Sequence, residues 1–387
     1  MELKYIAAAS VLAFAGSAYA QSSVTIYGLV DLNVEYASHV GAIPSAANGF
    51  NPGPSNRIVR MGTGGLAGSR WGLRGAEDLG GGLKAVFVLE SGFAADTGLS
   101  QQGGRLFGRQ AFVGLQNDSY GQLTFGRNYT SIFDALANFS PLSYATLYAP
   151  TVLLNGGNYR EDNSVKYTAK FGPLTTWAHW SFGVGTTVPQ ASSSALTYGG
   201  NGEVPGQGRR DSAYGAAAMY STGPLAATIA YDQWNPSIGV SSGTAKKLGV
   251  AASYTFGQTK IMGGYRWAQS KSPAEVVMVR DDLYWIGANY QATPALGLSL
   301  EYSYDKLKNL FGNTSAPNPW QIAFISTYSF SKRTDIYLTA AYAKNAGLTL
   351  DSAATGYLSS LGVAASYALP SGASSMLGVA VGMRQKF

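Results

Sequence analysis

Apolar and polar side chains alternate along this chain in segments of about ten residues, the length of a membrane-crossing strand, and each segment ends in a turn or a longer connection. In segment 24–36, Ile26 and Val34 fall on one face, whereas Asp31 and Glu35 fall on the other. Because successive side chains of a strand point to opposite faces, this pattern predicts a strand between an apolar and a polar environment. One such segment would also suit a soluble β-sandwich, so its repetition decides between the fold classes.

The pattern recurs often enough to predict sixteen strands. They are 24–36, 69–76, 83–93, 105–116, 121–127, 164–171, 174–182, 212–221, 225–234, 246–256, 259–269, 282–291, 297–306, 320–330, 335–344 and 377–387. Short connections alternate with long ones, of which 38–68, 128–163 and 183–211 are rich in Gly, Ser, Asn and Pro. Short turns on one rim and long loops on the other are typical of outer-membrane barrels. We therefore expect an all-β fold, a 16-stranded antiparallel transmembrane β-barrel with short periplasmic turns and long extracellular loops.

Segment 357–369 also alternates, and including it would give seventeen strands. An odd number would place the two chain ends on opposite rims, whereas bacterial single-chain barrels have even numbers of strands. We therefore assign this segment to a long last loop, 345–376, in which it extends as a strand above the membrane.

The beginning of the chain predicts a signal peptide. Lys4 precedes an apolar stretch that ends in the small residues Ala18 and Ala20, the pattern that a signal peptidase recognises. We expect residues 1–20 to be removed and residues 21–387 to form a single barrel domain. The protein is then exported, and a barrel domain implies the outer membrane of a Gram-negative bacterium.

Composition narrows the class of protein. Hydrophobic residues make up 46% of the chain and charged residues only 12%, about half the share of charged residues in globular proteins. The chain has no cysteine, which excludes disulfides and thiolate metal sites. Its net charge of +6 comes from dispersed residues rather than a basic block, so nucleic acid is not an expected partner.

The strand pattern also predicts where the cations point. An arginine that faces lipid at mid-depth costs roughly 2–4 kcal/mol, so the apolar face of each strand should lie outside. Alternation with Trp71 then turns Arg70 and Arg74 into the lumen, and alternation with Phe112 turns Arg109 the same way. These two strands therefore aim cations at one wall of the expected pore.

A second group of cations lies near the long connection 128–163. Alternation with Tyr167 turns Lys166 and Lys170 into the lumen. Arg127, where the third loop departs, is also assigned to the basic wall of the pore, although it shares its face with Phe125. Each of these cations could also be a solvated charge in a wide vestibule that has no influence on selectivity.

Several stretches resemble the Gram-negative general porins, in particular their β-proteobacterial branch. They are "SSVTIYGLVDLNVEY", "SRWGLRGAEDLGGGLKAVFVLESGF", "GRQAFVGLQNDSYGQLTFGRNYTSIFDAL", "DNSVKYTAKF" and the terminal "VAVGMRQKF". The resemblance implies a homotrimer in which each subunit has its own pore, narrowed by an inward-folded third loop. It also implies that Phe387 is presented to the barrel-assembly machinery, although a terminal aromatic would equally suit the interfacial aromatic girdle.

The resemblance further implies a site. Arg70 and Arg109 match the family's basic constriction ladder, and Lys166 matches a basic position of the β-proteobacterial members. Enterobacterial members oppose the ladder with acidic residues in the third loop, but the matching stretch here, "NFSPLSYA", has none. Asp134 is the one acid between positions 128 and 159, and Tyr144 lies near the expected glutamate. We therefore expect a positive constriction and a preference for anions.

Other functional classes find little support in the sequence. The two histidines, His39 and His179, suggest no catalytic arrangement, and the glycine clusters lack phosphate-loop spacing. We expect no enzyme activity, no cofactor and no metal. The expected partners are outer-membrane lipid, lipopolysaccharide, and small ions and solutes that diffuse through the pore. A solute-specific channel, with aromatics and paired charges that bind one substrate class, is the main alternative.

Overall fold

The computed structural model describes residues 23–42, 51, 53–189, 197–200, 202–345 and 368–387. The expected signal peptide lies outside the described residues, as does segment 357–367 of the expected last loop. Where that loop resumes, Ala368 forms a single bridge with Gly41. No helix among the described residues is long and apolar enough to cross a membrane.

Most of the described chain forms strands. In order they are β1 (Ser23–Val40), β2 (Asn56–Thr63), β3 (Arg70–Gly80), β4 (Leu83–Gly92), β5 (Gln110–Asn117), β6 (Gly121–Tyr129), β7 (Arg160–Phe171), β8 (Leu174–Ser181), β9 (Thr187–Pro189), β10 (Thr197–Gly199), β11 (Ala213–Thr222), β12 (Leu225–Trp234), β13 (Ser237–Ile238), β14 (Ser241–Ser242), β15 (Thr244–Phe256), β16 (Thr259–Lys271), β17 (Val277–Gln291), β18 (Leu296–Leu310), β19 (Trp320–Ser329), β20 (Thr334–Lys344) and β21 (Ser375–Lys386). The short strands β9, β10, β13 and β14 form a separate small sheet, and the other seventeen form one antiparallel sheet. Two short helices, α1 (Ser131–Ala137) and α2 (Thr151–Asn155), follow β6.

The large sheet closes into a barrel with sixteen strand positions. One edge of β1 pairs with β21, and its other edge pairs first with β3 and then with β2. Strands β2 and β3 therefore occupy one position that is interrupted by residues 64–69. Every one of the sixteen predicted strands has its counterpart, and the predicted fold is confirmed. The expectation that all of 38–68 is a loop is wrong, because β2 pairs there with the long upper half of β1.

Alternation along the strands follows the predicted faces. Val24 and Ile26 are 64% and 68% exposed on the outside, whereas Asp31 and Glu35 are fully buried on the inside. The strand predicted to begin at position 105 begins at Gln110, because the preceding residues form turns. The outer surface is thus apolar and the inner surface polar, as a lipid-embedded barrel requires.

The two rims differ in the length of their connections. On the rim that holds the chain ends, the connections span two to four residues, such as 172–173 and 223–224. Gly172 (φ 57°) and Gly223 (φ 51°) occupy the left-handed region, which these tight turns require and glycine tolerates. On the opposite rim, the connection of residues 130–159, called loop 3 below, holds both helices and turns into the lumen.

Loop 3 covers most of the inner wall. Its first half packs Ile132, Leu136 and Phe139 in a buried cluster with Trp177 of β8 and Trp285 of β17. Its second half forms another buried cluster with β19, β20 and β21. That cluster includes Leu142, Leu147, Tyr148, Ala323, Ile325, Tyr337, Ala341, Met376 and Ala380. The inner wall from β3 to β7 lies outside both clusters, and the channel is open along that wall.

Candidate pore constriction

A second inward loop, formed by residues 64–69, narrows the lumen between β2 and β3. The carboxylate of Asp31 accepts hydrogen bonds from the backbone N–H groups of Gly65 (3.0 Å), Leu66 (2.9 Å) and Ala67 (2.9 Å). The hydroxyl of Tyr337 donates to the same carboxylate at 2.6 Å. Three convergent N–H groups form an anion-binding nest, so Asp31 holds this loop inside the barrel.

A cavity of about 310 Å³ lies between the inward loops and the open wall. Its lining includes Leu66 of the inward loop 64–69, Ser143 and Tyr144 of loop 3, and Arg70 and Arg109 of the wall. Ser143 (φ 53°) and Tyr144 (φ 56°) both adopt the left-handed conformation, which non-glycine residues rarely hold without a local constraint. The constraint for Tyr144 is its hydroxyl, which donates to the carbonyl of Phe133 at 3.1 Å.

Three arginines converge on this cavity. Arg109 donates from Nε to Oε1 of Glu90 (2.6 Å) and from Nη2 to the Tyr129 hydroxyl (3.1 Å). Arg160, which the sequence analysis did not single out, also lines the cavity. Arg70 makes no ion pair with any side chain in the described part of the chain. Three guanidiniums therefore face one nearby carboxylate, and the charge at this wall is positive.

Aromatic rings share the same wall. The rings of Tyr129, Phe133 and Tyr159 are nearly parallel, with centroids 4.2 Å apart for Tyr129–Phe133 and 5.2 Å apart for Phe133–Tyr159. The guanidinium carbon of Arg160 lies 5.0 Å from the Tyr129 centroid and 4.5 Å from that of Tyr159. Cation–π attraction and a 2.8 Å hydrogen bond to the Tyr159 hydroxyl hold Arg160 in place. Burial keeps the pKa of the Tyr144 phenol well above its usual range, so this ring is neutral.

Loop 3 is fixed by hydrogen bonds from lumen-facing side chains to its backbone. Trp285 donates from Nε1 to the carbonyl of Phe139 at 2.8 Å. Asn289 donates to the carbonyl of Pro141 (2.6 Å), and Gln321 donates to the carbonyl of Tyr148 (2.7 Å). These bonds come from three different strands, so the loop is held across a broad stretch of the wall.

Loop 3 also contacts four carboxylates of the inner wall. The hydroxyl of Tyr148 donates to Glu35 at 3.0 Å. Asn158 donates to both Glu161 (2.8 Å) and Asp232 (3.2 Å). The backbone N–H of Leu142 donates to Glu301. All four carboxylates are at most 2% exposed, so these acidic residues are withdrawn from the channel.

A model of the Gram-negative porin family matches residues 7–348. The chain belongs to this family. It is 31% identical to an outer membrane porin protein of Bordetella pertussis, over 92% of this chain and 97% of that protein. It is 30% identical to outer membrane porin protein 32 of Delftia acidovorans, over 88% and 90% of the two chains. An anion-selective porin from Comamonas acidovorans has the same fold, with a TM-score of 0.73 and 26% identity over 95% of this chain and 100% of that one.

This porin is therefore an outer-membrane general porin, a channel rather than an enzyme. Its β-barrel crosses the outer membrane with the sixteen strand positions described above. The family and the location expected from the sequence are both confirmed. The cavity between the inward loops and the arginine wall lies inside the lumen of this barrel.

The other expected cations have different surroundings. Arg74 lies on an exposed part of β3, with its guanidinium carbon 5.3 Å from the Tyr27 ring, and does not line the cavity. Lys166 is buried and donates to the carboxylate of Asp134 and to the carbonyl of Tyr129 (2.7 Å). Lys166 thus ties loop 3 to β7, and its charge is matched by Asp134.

Arg127 lies on the other side of the barrel wall. It shares the face of β6 that carries Phe125, and its neighbour in β5 is Ala111. Its guanidinium pairs with Asp162 at 2.6 Å, and Arg105 pairs with the same carboxylate. The assignment of Arg127 to the basic wall of the pore is therefore wrong, because its side chain follows the outward face of β6.

One further cluster offers the side chains that bind metals. Among the described residues, Glu161, His179 and Asp232 bring potential ligand atoms within 4.8 Å of one another. The backbone N–H of Ser131 donates to Nδ1 of His179 at 3.1 Å, so the ring proton lies on Nε2. That nitrogen faces Glu161 (3.2 Å) and Asp232 (3.5 Å). A metal would need a lone pair at Nε2, so the cluster is better suited to sharing a proton.

Arg160 is the site residue that sequence reasoning missed. It follows the last residue of loop 3, where no alternation precedes it, and Asn163 (φ 50°) interrupts the regular pattern of β7. The signal available in the sequence was the adjacent pair Tyr159-Arg160 after a long loop. Only the stacked rings of Tyr129 and Tyr159 show which way the guanidinium points.

Proposed function

We propose that this porin is a passive diffusion channel that prefers anions. The observation that supports the proposal is the arrangement of Arg70, Arg109 and Arg160 along the open wall, with Glu90 as the nearby carboxylate. The carboxylates of Glu35, Glu161 and Asp232 are buried and accept hydrogen bonds from loop 3. The description of the Comamonas acidovorans structure as an anion-selective porin agrees with this reading.

The physical argument concerns the field at the narrowest point. Fixed charges of one sign in a narrow passage with low-dielectric walls raise the local concentration of counter-ions. Rings of charged side chains at such a point determine which ions pass, with Arg and Lys favouring anions. Ion pairs remove part of this charge, and among these three arginines only Arg109 is paired with a described carboxylate.

The reversal potential across a potassium chloride gradient tests the proposal. The native channel should show preferential chloride permeation, and Arg70→Glu with Arg109→Glu should reverse or abolish the preference. The matched control is Arg74→Glu with Lys170→Glu, two cations of β3 and β7 that do not line the cavity, and it should shift the potential much less. A native channel that prefers potassium would refute the proposal.

We also propose that the porin assembles as a homotrimer. The exposed outer side chains of β1, β5 and β21 are mainly aliphatic, including Val24, Ile26, Val113, Leu115 and Val381. The outer face elsewhere carries exposed aromatics that suit the lipid interface; they include Trp180, Tyr220, Tyr254, Phe256, Tyr284, Tyr290, Tyr302, Tyr328 and Phe330. An OmpT structure of Vibrio cholerae with the same fold (TM-score 0.64, 14% identity) is described as a trimer form.

Native mass spectrometry in mild detergent tests the assembly. The native protein should be a trimer, and Ile26→Arg should dissociate it because a charge would be buried in the interface. Ile286→Arg on the outer face of β17, 58% exposed against 68% for Ile26, is the matched control and should remain trimeric. A native protein that is monomeric under these conditions would contradict the proposal.

We propose two steps of biogenesis from the chain ends. Cleavage after Ala20 would leave a mature chain that begins at Gln21, which intact-mass measurement of the purified porin tests. Phe387 would be recognised by the barrel-assembly machinery, since its ring is 53% exposed and lies on the outside beside Gly28. Replacing Phe387 with Ser should lower the amount of folded barrel in the outer membrane, whereas an unchanged yield would count against this role.

A further inference from the structure

The narrow cavity combines two kinds of side chain that a simple charged ring does not need. Arginine guanidiniums lie beside a group of aromatic rings in a space of about 310 Å³. Tyr129, Phe133, Tyr144 and Tyr159 all line this space, and they come from β6, α1 and both halves of loop 3. Cavities of about 300 Å³ and more, with apolar or aromatic lining and a few placed polar groups, are typical of small-molecule binding sites.

We propose that this cavity is a binding subsite for aromatic carboxylates, of which benzoate is the simplest. This inference rests on the proposed anion preference and names a class of anion that the channel retains. The carboxylate would be held by the arginines, and the ring would lie among the aromatic side chains. Small inorganic anions pass the same cavity but are attracted only by its positive charge, since they have no ring to contact the aromatic side chains.

The charged half of the subsite is prepared for a carboxylate. Arg70 lines the cavity without a carboxylate partner among the described residues, so its planar donor fork is available. Guanidinium–carboxylate pairs form two parallel hydrogen bonds, which a chloride ion cannot match. Arg109 and Arg160 are fixed by Glu90, Tyr129 and Tyr159 and supply further positive charge without having to be ordered on binding.

The aromatic half has a defined geometry. Tyr129 and Phe133 are stacked with an interplanar angle of 6°, and Tyr144 is inclined by 41° to Phe133. Aromatic rings prefer offset-stacked or edge-to-face neighbours, and this arrangement offers both. The loop that presents Phe133 and Tyr144 is hydrogen-bonded to the wall through Trp285 and Asn289. The rings are therefore held in position before a solute arrives.

A comparison of two anions on the native channel tests the subsite without any mutation. Benzoate and cyclohexanecarboxylate carry the same charge and have similar size, but only benzoate has a π system. We expect benzoate to block the chloride current of single channels at a concentration about two- to tenfold lower, the gain from one aromatic pair. Benzyl alcohol, a neutral aromatic, should not block the chloride current measurably.

Phe133→Leu extends the test to the site. This substitution keeps an apolar side chain but removes the central ring, so the difference between the two anions should disappear. Phe125→Leu on the outer face is the matched control and should keep the difference. The reversal potential of Phe133→Leu should remain that of the native channel, because no charge has changed.

The possible outcomes separate the two proposals. Equal block by benzoate and cyclohexanecarboxylate, on a native channel that prefers chloride, would overturn the aromatic subsite and leave the anion preference intact. A difference that survives Phe133→Leu would also overturn it. Preference of the native channel for potassium would overturn the anion preference, and with it the basis of the subsite.

Discussion

The two sides of the lumen carry charge in very different ways. The wall from β3 to β7 presents Arg70, Arg109 and Arg160 to the open cavity. The wall from β8 to β21 also carries charged residues, but those such as Asp232 and Glu301 are buried beneath loop 3. The walls differ less in how many charges they hold than in whether a solute can reach them.

Loop 3 produces this difference, because it covers one side of the lumen and carries almost no charge. Between positions 128 and 159 the chain has one charged residue, Asp134, and that carboxylate is paired with Lys166. Loop 3 therefore adds almost no charge of its own while it hides the acids opposite. Charges in a region shielded from the solute contribute little to the field in the channel when they are compensated locally. The sign of the constriction follows from what the loop covers.

Removing the covering should have the largest effect. We predict that replacing residues 132–157 with a short Gly-Ser linker increases single-channel conductance several-fold, because the constriction disappears. The same variant should lose its anion preference or become cation-preferring, because Glu161, Asp232 and Glu301 become accessible to ions. Planar-bilayer recording of conductance and reversal potential measures both effects.

The loop variant requires a folded barrel, which a difference in migration between unboiled and boiled samples on a denaturing gel establishes. A folded variant that keeps the native chloride preference would show that the covered carboxylates do not matter. The arginines of the open wall would then account for the selectivity by themselves.

Removing one guanidinium from the open wall should have an intermediate effect. One elementary charge about 6 Å from an ion in water-like surroundings contributes about 0.7 kcal/mol, which corresponds to about threefold in ion concentration. We predict that Arg160→Gln lowers the chloride-to-potassium permeability ratio by about tenfold, because the local chloride concentration falls and the local potassium concentration rises by about this factor each. Lys170→Gln, on the same strand but exposed and away from the cavity, is the matched control. Equal effects of the two substitutions would mean that the constriction does not set selectivity.

Lys166 tests whether a paired charge counts. Because its ammonium is buried against Asp134 and does not line the cavity, we predict that Lys166→Met changes the reversal potential less than Arg160→Gln does. It should instead increase current noise, since loop 3 loses a contact with β7. Adding Asp134→Leu to Lys166→Met should reduce the noise again, because no unpaired carboxylate remains. A change in selectivity as large as that of Arg160→Gln would show that Lys166 acts on the permeating ion, as a residue of the pore wall does.

The fold was largely predictable because lipid imposes a simple rule on each strand. Alternation identified all sixteen strand positions, and the outward placement of Ile26 and inward placement of Asp31 followed from it. Strand β2 was not predicted, because its register depends on an inward loop that Asp31 holds. Asp31 accepts hydrogen bonds from Gly65, Leu66 and Ala67, more than thirty residues away. Local patterns do not report such contacts.

The site was predictable only where alternation applies. Arg70 begins the regular strand β3, so its direction followed from Trp71. Arg109 precedes β5, where alternation does not apply, and the outward placement expected for Phe112 is wrong, because Val113 and Leu115 are the outward residues of β5. The direction of Arg160 depends instead on two tyrosines that approach it in space. Pairing is equally invisible in a sequence, and for that reason Lys166 and Arg70 looked alike although one is bound to loop 3 and the other faces the cavity.

The smallest effect should come from Arg127, which differs from Arg160 in the side of the wall on which it lies. Its guanidinium is tied to Asp162 (2.6 Å) and to the carbonyl of Gly108 (2.8 Å), on the face that carries Phe125. We predict that Arg127→Gln leaves the reversal potential unchanged, because the barrel wall separates this charge from the channel and Arg105 still neutralises Asp162. The substitution should instead loosen the loops that meet at Arg127, and proteolysis of the folded porin should show this as faster cleavage of those loops. A shift as large as that of Arg160→Gln would mean that arginines on both sides of the wall act on the ion. This result would contradict the claim that only charges open to the channel set its selectivity.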